Sequence, residues 1–201
     1  MFEMAAMRSP LNSIHGEDVP HIEFNGVTLT ELPFLRHYNV RFQPDDRQAS
    51  SRFRQLLGFD APQDPNIFVV HEDNLCAWLG PDEWLIVTPF HAKDSLDYAL
   101  DEFAYGDDFV TRVDISAAQT IIRATGPKVA DLLGRGVSYD LHPRNFQAGS
   151  CIQTVLARAS VTLFAQSAAA VTIDIVVRRS FADHLWNWLV DAGQESEFHS
   201  L

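Results

Sequence analysis

Two nine-residue segments, 50–58 and 126–134, read Ser-Ser-Arg-Phe-Arg-Gln-Leu-Leu-Gly and Gly-Pro-Lys-Val-Ala-Asp-Leu-Leu-Gly, so each closes a helical pattern on Leu-Leu-Gly. Each is then followed by three strand-like runs and a second helical pattern. A repeated order of this kind predicts two similar α+β halves whose sheets each bury one face under helices. In the first half, strand-like runs bounded by Asn, Asp, Gly and Pro cover 27–32, 37–42, 67–71, 75–79 and 83–88. Helical spacing covers 46–57 and 92–103; Asp45 or Asp46 can cap the first helix and Gly58 can stop it. In the second half 109–114, 119–125, 152–158, 161–166 and 171–177 read as strands. A helix is expected over 127–133, with Pro127 in its first turn and Gly134 at its end, and another over 180–190. The halves therefore span about 36–105 and 109–192 within a single domain over 26–192. Residues 1–25 are polar and interrupted by Pro10, Gly16 and Pro20, which predicts an extended arm, and 193–201 form a tail.

Of the 201 residues 46% are apolar, enough to bury a substantial core in one domain. The formal net charge of -12 repels a phosphate backbone, and the basic residues are scattered or paired, which argues against a nucleic-acid partner. The longest uncharged stretch, 159–173, is shorter than the ~20 apolar residues of a membrane span and contains Ser, Thr and Gln. The opening Met1-Phe-Glu-Met-Ala-Ala-Met-Arg8 lacks the basic start and long apolar core of a secretory signal. Two cysteines, Cys76 and Cys151, suit a reducing cytoplasm, and Cys151 is read as a small buried hydrophobe.

Chemical motifs are sparse. There is no Gly-x-Gly-x-x-Gly and no Gly-rich loop ending in Gly-Lys-Ser/Thr, so no dinucleotide, flavin or nucleotide site is expected in the chain. The eight histidines contain no His-Glu-x-x-His, and the cysteines have no Cys-x-x-Cys spacing, so no metal site and no catalytic residue are assigned.

Other segments carry a family likeness. Residues 140–154 read Asp-Leu-His-Pro-Arg-Asn-Phe-Gln-Ala-Gly-Ser-Cys-Ile-Gln-Thr, and 178–189 read Arg-Arg-Ser-Phe-Ala-Asp-His-Leu-Trp-Asn-Trp-Leu. With Asp114-Ile-Ser116 and Gly126-Pro127, they make the chain resemble the gamma subunit of heterotetrameric sarcosine oxidase. Those subunits are in turn similar to the folate-binding domain of glycine-cleavage aminomethyltransferases (T-proteins), in which a strand ending Asp-x-Ser leads through a second strand and Gly-Pro into a helix. The resemblance implies an α+β, aminomethyltransferase-like folate-binding fold of duplicated ferredoxin-like β-α-β halves with antiparallel sheets.

It also implies a place in a complex. The complex oxidatively demethylates sarcosine to glycine, forming hydrogen peroxide and 5,10-methylenetetrahydrofolate, and this chain would assemble with alpha, beta and delta subunits, mainly with the large alpha subunit. FAD, FMN, NAD and tetrahydrofolate would be held by those subunits and no cofactor by this one. In the aminomethyltransferases a Gly-Gly-Ile-x-Asp-Asp-type motif supplies the carboxylate beside the folate; the corresponding hairpin here is Ala157-Arg-Ala-Ser-Val-Thr-Leu-Phe164 and has none. Asp107-Asp108 precedes Asp114-Ile-Ser116, out of order for that role, and reads as a solvated loop. The chain is thus expected to be a non-catalytic subunit; the alternative is an independent folate-binding aminomethyltransferase-like or folate-dependent regulatory protein.

With chemistry assigned elsewhere, the conspicuous groups are candidate interface residues. Ser9-Pro10-Leu11 could plug a neighbouring subunit or belong to a disordered tail. Trp186 and Trp188 lie two apart on the last helix, so one can enter the core while Trp188 meets a partner, or both can be core. Arg178 and Arg179 sit poorly at the positive end of that helix and invite an external carboxylate, unless they are simply solvated. Arg144 can reach outward from a turn fixed by Asp140.

Overall fold

The computed structural model describes residues 8–12, 19–89, 93–105, 109–167 and 171–194. The first half contains β3 (Arg36–Arg41), α1 (Arg47–Leu57), β4 (Phe68–His71), β5 (Asn74–Gly80), β6 (Glu83–Thr88) and α2 (Lys93–Ala104). The second repeats that order as β8 (Gln119–Thr125), α3 (Val129–Gly134), β9 (Cys151–Leu156), β10 (Ala159–Ala165), β11 (Thr172–Arg178) and α4 (Arg179–Gln194). In each half the first strand pairs with the last, giving β3-β6-β5-β4 and β8-β11-β10-β9 with every pairing antiparallel.

A strand precedes each half, β2 (Val27–Leu32) before β3 and β7 (Thr111–Asp114) before β8, and the two are exchanged. β2 pairs with β8 and β7 pairs with β3, so each half completes the other's sheet. The outer edge of β2 is covered by β1 (His21–Phe24), so the last residues of the segment expected as an arm belong to the six-stranded sheet. The hairpin turn between them is Asn25-Gly26, with φ of 45° and 77°, the left-handed pair that a two-residue turn between twisted strands requires.

The layers run helix, sheet, sheet, helix. α1 and α2 cover the five-stranded sheet through Phe53, Leu57, Leu100 and Phe103 against Tyr38, Val40, Trp84 and Ile86. α3 and α4 cover the six-stranded sheet through Val129, Leu133, Leu185 and Trp186 against Leu29, Ile122, Leu163 and Ile175. Between the sheets, Phe68, Ala77 and Leu85 meet Ile121, Cys151 and Phe164. Main-chain bonds also stitch the two sheets, Phe68 N to Gly149 O at 2.8 Å and Cys151 N to Asn66 O at 2.7 Å.

Local signals explain most boundaries. Asp46 caps α1 by accepting the Gln48 and Ala49 amides, and Gly58 ends it at φ 82°. Gly134, expected just past α3, is its last helical residue, and Arg135 caps the helix in right-handed backbone. Trp78 and Trp84 face each other across β5 and β6, and the buried Trp84 indole donates to Pro62 O at 2.8 Å. Cys151 is buried, which pushes its thiol up to about 12 and leaves it the small hydrophobe expected. No helix among the described residues is long and apolar enough to cross a membrane.

Candidate functional site

The Asp114-Ile115-Ser116 motif is the corner where the chain passes from one sheet to the other. Asp114 Oδ1 accepts the Ser116 amide at 2.9 Å and the Ser116 hydroxyl at 2.5 Å. Ser116 Oγ receives the His37 amide at 3.0 Å, and the Ile115 amide donates to His37 O at 2.9 Å. Partial burial opposes ionisation of Asp114, but the Ser116 hydrogen bonds and the charges of Arg36 and Arg112 outweigh it and hold the pKa below the ordinary carboxylate value. The motif is therefore a structural clasp on β3.

His37 lies under that clasp. Burial pushes its imidazole pKa from 6.5 to about 4, opposed in part by the Leu35 main chain and the Asp114 charge. A base that is harder to protonate when folded lets the unfolded chain take up the proton first, so stability is lost as pH falls from 6.5 towards 4. The slope is about 1.4 kcal/mol per pH unit within that window. Urea titrations at several pH values should show this loss in the wild type and a flatter profile in His37→Phe; equal profiles would show that His37 does not titrate as a buried base.

Beside the corner, a cavity of about 310 Å³ is formed by the N-terminal segment, the β2–β3 turn, the start of β8 and the start of α4. Arg8, Arg36 and Arg179 line it, with Pro10, Phe34, Leu35 and Ala117 as apolar wall and Ser116, Gln119 and Thr120 as neutral polar groups. Among the described residues no carboxylate belongs to this lining. Behind it the fully buried Glu31 accepts hydrogen bonds from Ser9 Oγ and from Thr120 Oγ1, the latter at 2.7 Å. Ser9 Oγ also receives the Leu11 amide at 3.0 Å, and Arg179 donates to Arg8 O at 2.9 Å. Gln119 is shared with a second cavity of about 380 Å³, lined by Gln153, Thr154, Ser160, Thr162 and Arg178 among others.

The candidate interface residues are thus distributed unevenly. Ser9, Pro10 and Arg179 meet at the first cavity and Arg178 stands at the second. Leu11, read as a plug for a neighbour, is wholly buried in the core beneath α3 and α4, because Glu31 and Ser9 pull this stretch onto its own domain. Trp186 is core, and Trp188 is half-buried against the same core over Gly136. Arg144 stays beside its own turn, 3.6 Å from Asp140, whose carboxylate also accepts the His142 amide at 2.9 Å. Arg8, Arg36 and Gln119 were not singled out in the sequence, where nothing marks them apart from neighbouring strand and arm residues. The hairpin expected to lack the folate carboxylate is β9–β10, closed by Ala157 and Arg158 in left-handed backbone at φ 49° and 70°, and none of residues 151–165 is acidic. Asp107 and Asp108 lie outside the described residues.

Similarity to known proteins follows this geometry. The family model for the sarcosine oxidase gamma subunit family matches residues 43–195. The sarcosine oxidase subunit gamma of Corynebacterium sp. (strain P-1) is 30% identical over 170 residues, covering 84% of this chain and 81% of that protein. A chain of the heterotetrameric sarcosine oxidase from Corynebacterium sp. U-96, solved in complex with pyrrole 2-carboxylate, superposes with a TM-score of 0.81 at 27% identity, covering 94% of this chain and 95% of its own. The glycine cleavage system aminomethyltransferase T of Bartonella henselae shares the fold, with a TM-score of 0.60 at 11% identity over 90% of this chain and 56% of that one. With the duplicated sheets, the Asp114-Ile115-Ser116 clasp and matches of this extent in agreement, the chain belongs to the sarcosine oxidase gamma subunit family.

Proposed function

We propose that this chain is a non-catalytic subunit that completes a heterotetrameric sarcosine oxidase, assembling with alpha, beta and delta subunits and chiefly with the large alpha subunit. In that complex sarcosine is oxidatively demethylated to glycine, with hydrogen peroxide and 5,10-methylenetetrahydrofolate as further products. FAD, FMN, NAD and tetrahydrofolate are then bound by the other subunits, in the cytoplasm. The observation that carries the reading is the scaffold without its chemistry. A domain folded like an aminomethyltransferase has no acidic residue anywhere in the β9–β10 hairpin, so general acid or base help to a folate adduct has no source there. The candidate docking groups are those that border the two cavities, Ser9, Pro10, Arg178 and Arg179, with Arg144 as an outlying contact.

The purified chain is accordingly expected to be colourless, to release no flavin on denaturation, and to show no tight tetrahydrofolate site by calorimetry. A stoichiometric flavin, or micromolar folate binding, would instead favour an independent folate-binding transferase or regulator. Both measurements need only the isolated chain.

A further inference from the structure

The charge of the two cavities runs against the charge of the molecule. The chain carries 27 acidic and 15 basic residues, yet Arg8, Arg36, Arg178 and Arg179 line the pair of cavities and, among the described residues, no Asp or Glu does. The nearby acids are already engaged: Glu31 by Ser9 and Thr120 beneath the wall, and Asp114 by Ser116 and Arg36. Such a concentration of guanidinium groups is matched by carboxylates, which arginine binds through paired hydrogen bonds.

The two cavities share Gln119 in their linings and differ in character. In the first, Pro10, Phe34, Leu35 and Ala117 offer an apolar wall beside three arginines; in the second, amides and hydroxyls of Gln153, Thr154, Ser160 and Thr162 offer hydrogen bonds without negative charge. Gln119 stands where the two linings overlap. We propose that these two adjoining cavities together grip an extended acidic segment of a partner subunit, seating one carboxylate beside Arg8 and Arg179 while the main chain passes Gln119 towards Arg178. The inference rests on the subunit reading above and adds to it the chemistry that the partner presents.

The test uses the assembled complex, purified through a tag on the large subunit, and measures how tightly this chain is retained. Arg8→Gln and Arg179→Gln are each expected to weaken retention about tenfold or more, as the loss of a charged hydrogen-bond partner does. Raising NaCl from about 50 to about 500 mM should weaken the wild type more steeply than the double variant, because fewer charges remain to be screened. Tyr98→Ala, on an exposed side chain of α2, serves as the control and should leave retention unchanged. Circular dichroism of each variant confirms that the fold persists. Retention that ignores both arginines and salt, or that depends on Tyr98 instead, overturns this docking site and leaves the subunit reading standing. A wild-type chain that is not retained at all overturns both.

Discussion

Gly126→Ala is expected to cost about 3 kcal/mol or more of folding stability and to lower the melting temperature by roughly 6–12 °C. Gly126 follows β8 at φ 131°, and a Cβ there would stand 2.2 Å from Gly26 O and 3.2 Å from Val27 Cα. Both obstacles are main chain, so no side-chain rotation relieves them. Gly26 is itself held at φ 77° by the β1–β2 turn, and the Gly126 amide is held by Val171 O at 2.7 Å. Gly134→Ala is the control: nothing lies within 4 Å of its Cβ, and the helical position gains about 0.5–1 kcal/mol from reduced freedom of the unfolded chain. If Gly126→Ala melted within about 2 °C of the wild type, the hairpin would have to yield far more freely than its hydrogen bonds allow.

Trp186→Ala should cost about 3–5 kcal/mol, the range for emptying a large aromatic site. Its ring is 1% exposed among the side chains between α4 and the six-stranded sheet. Trp188→Ala removes a ring that is only partly buried and should cost about 1–2 kcal/mol, with the circular dichroism of the folded chain retained. Thermal melts of the two variants separate the roles, and equal losses would contradict this division. Trp188 covers Gly136, whose Cβ would approach its ring to 2.5 Å.

The elements were legible where pattern and punctuation coincide. The spans 27–32, 83–88 and 119–125 agree with β2, β6 and β8 to the residue, and Asp46 and Gly58 cap α1 as their chemistry requires. β1 was hidden because Pro20 and the polar lead made 1–25 look like an arm, although Asn25-Gly26 is a strong hairpin signal. The exchange of β2 and β7 was not legible, because a strand's own residues record which of its faces is buried and not which neighbour lies at its edge. The pair of cavities was legible only in part. Arg179 stood out through its place at a helix start, whereas Arg8 and Arg36 join it through the tertiary fold alone. The burial of Leu11 was not legible because the buried Glu31, its anchor through Ser9, lies 22 residues beyond Ser9.

The exchanged strands also bear on how the chain can be made. β2 leaves the ribosome long before β8, its inner partner, and β3 waits for β7 to cover its open edge, so the five-stranded sheet is whole only once β7 has emerged and the six-stranded sheet only once the second half has been synthesised. A break in the linker between the halves would leave each fragment with an edge shaped for a strand held by the other. Two identical copies of the repeated unit, placed about a twofold axis, would satisfy those edges reciprocally. Joining such a strand-swapped pair end to end gives the topology of this chain, and a single polypeptide then keeps at unit stoichiometry what two separate molecules would have to find by collision.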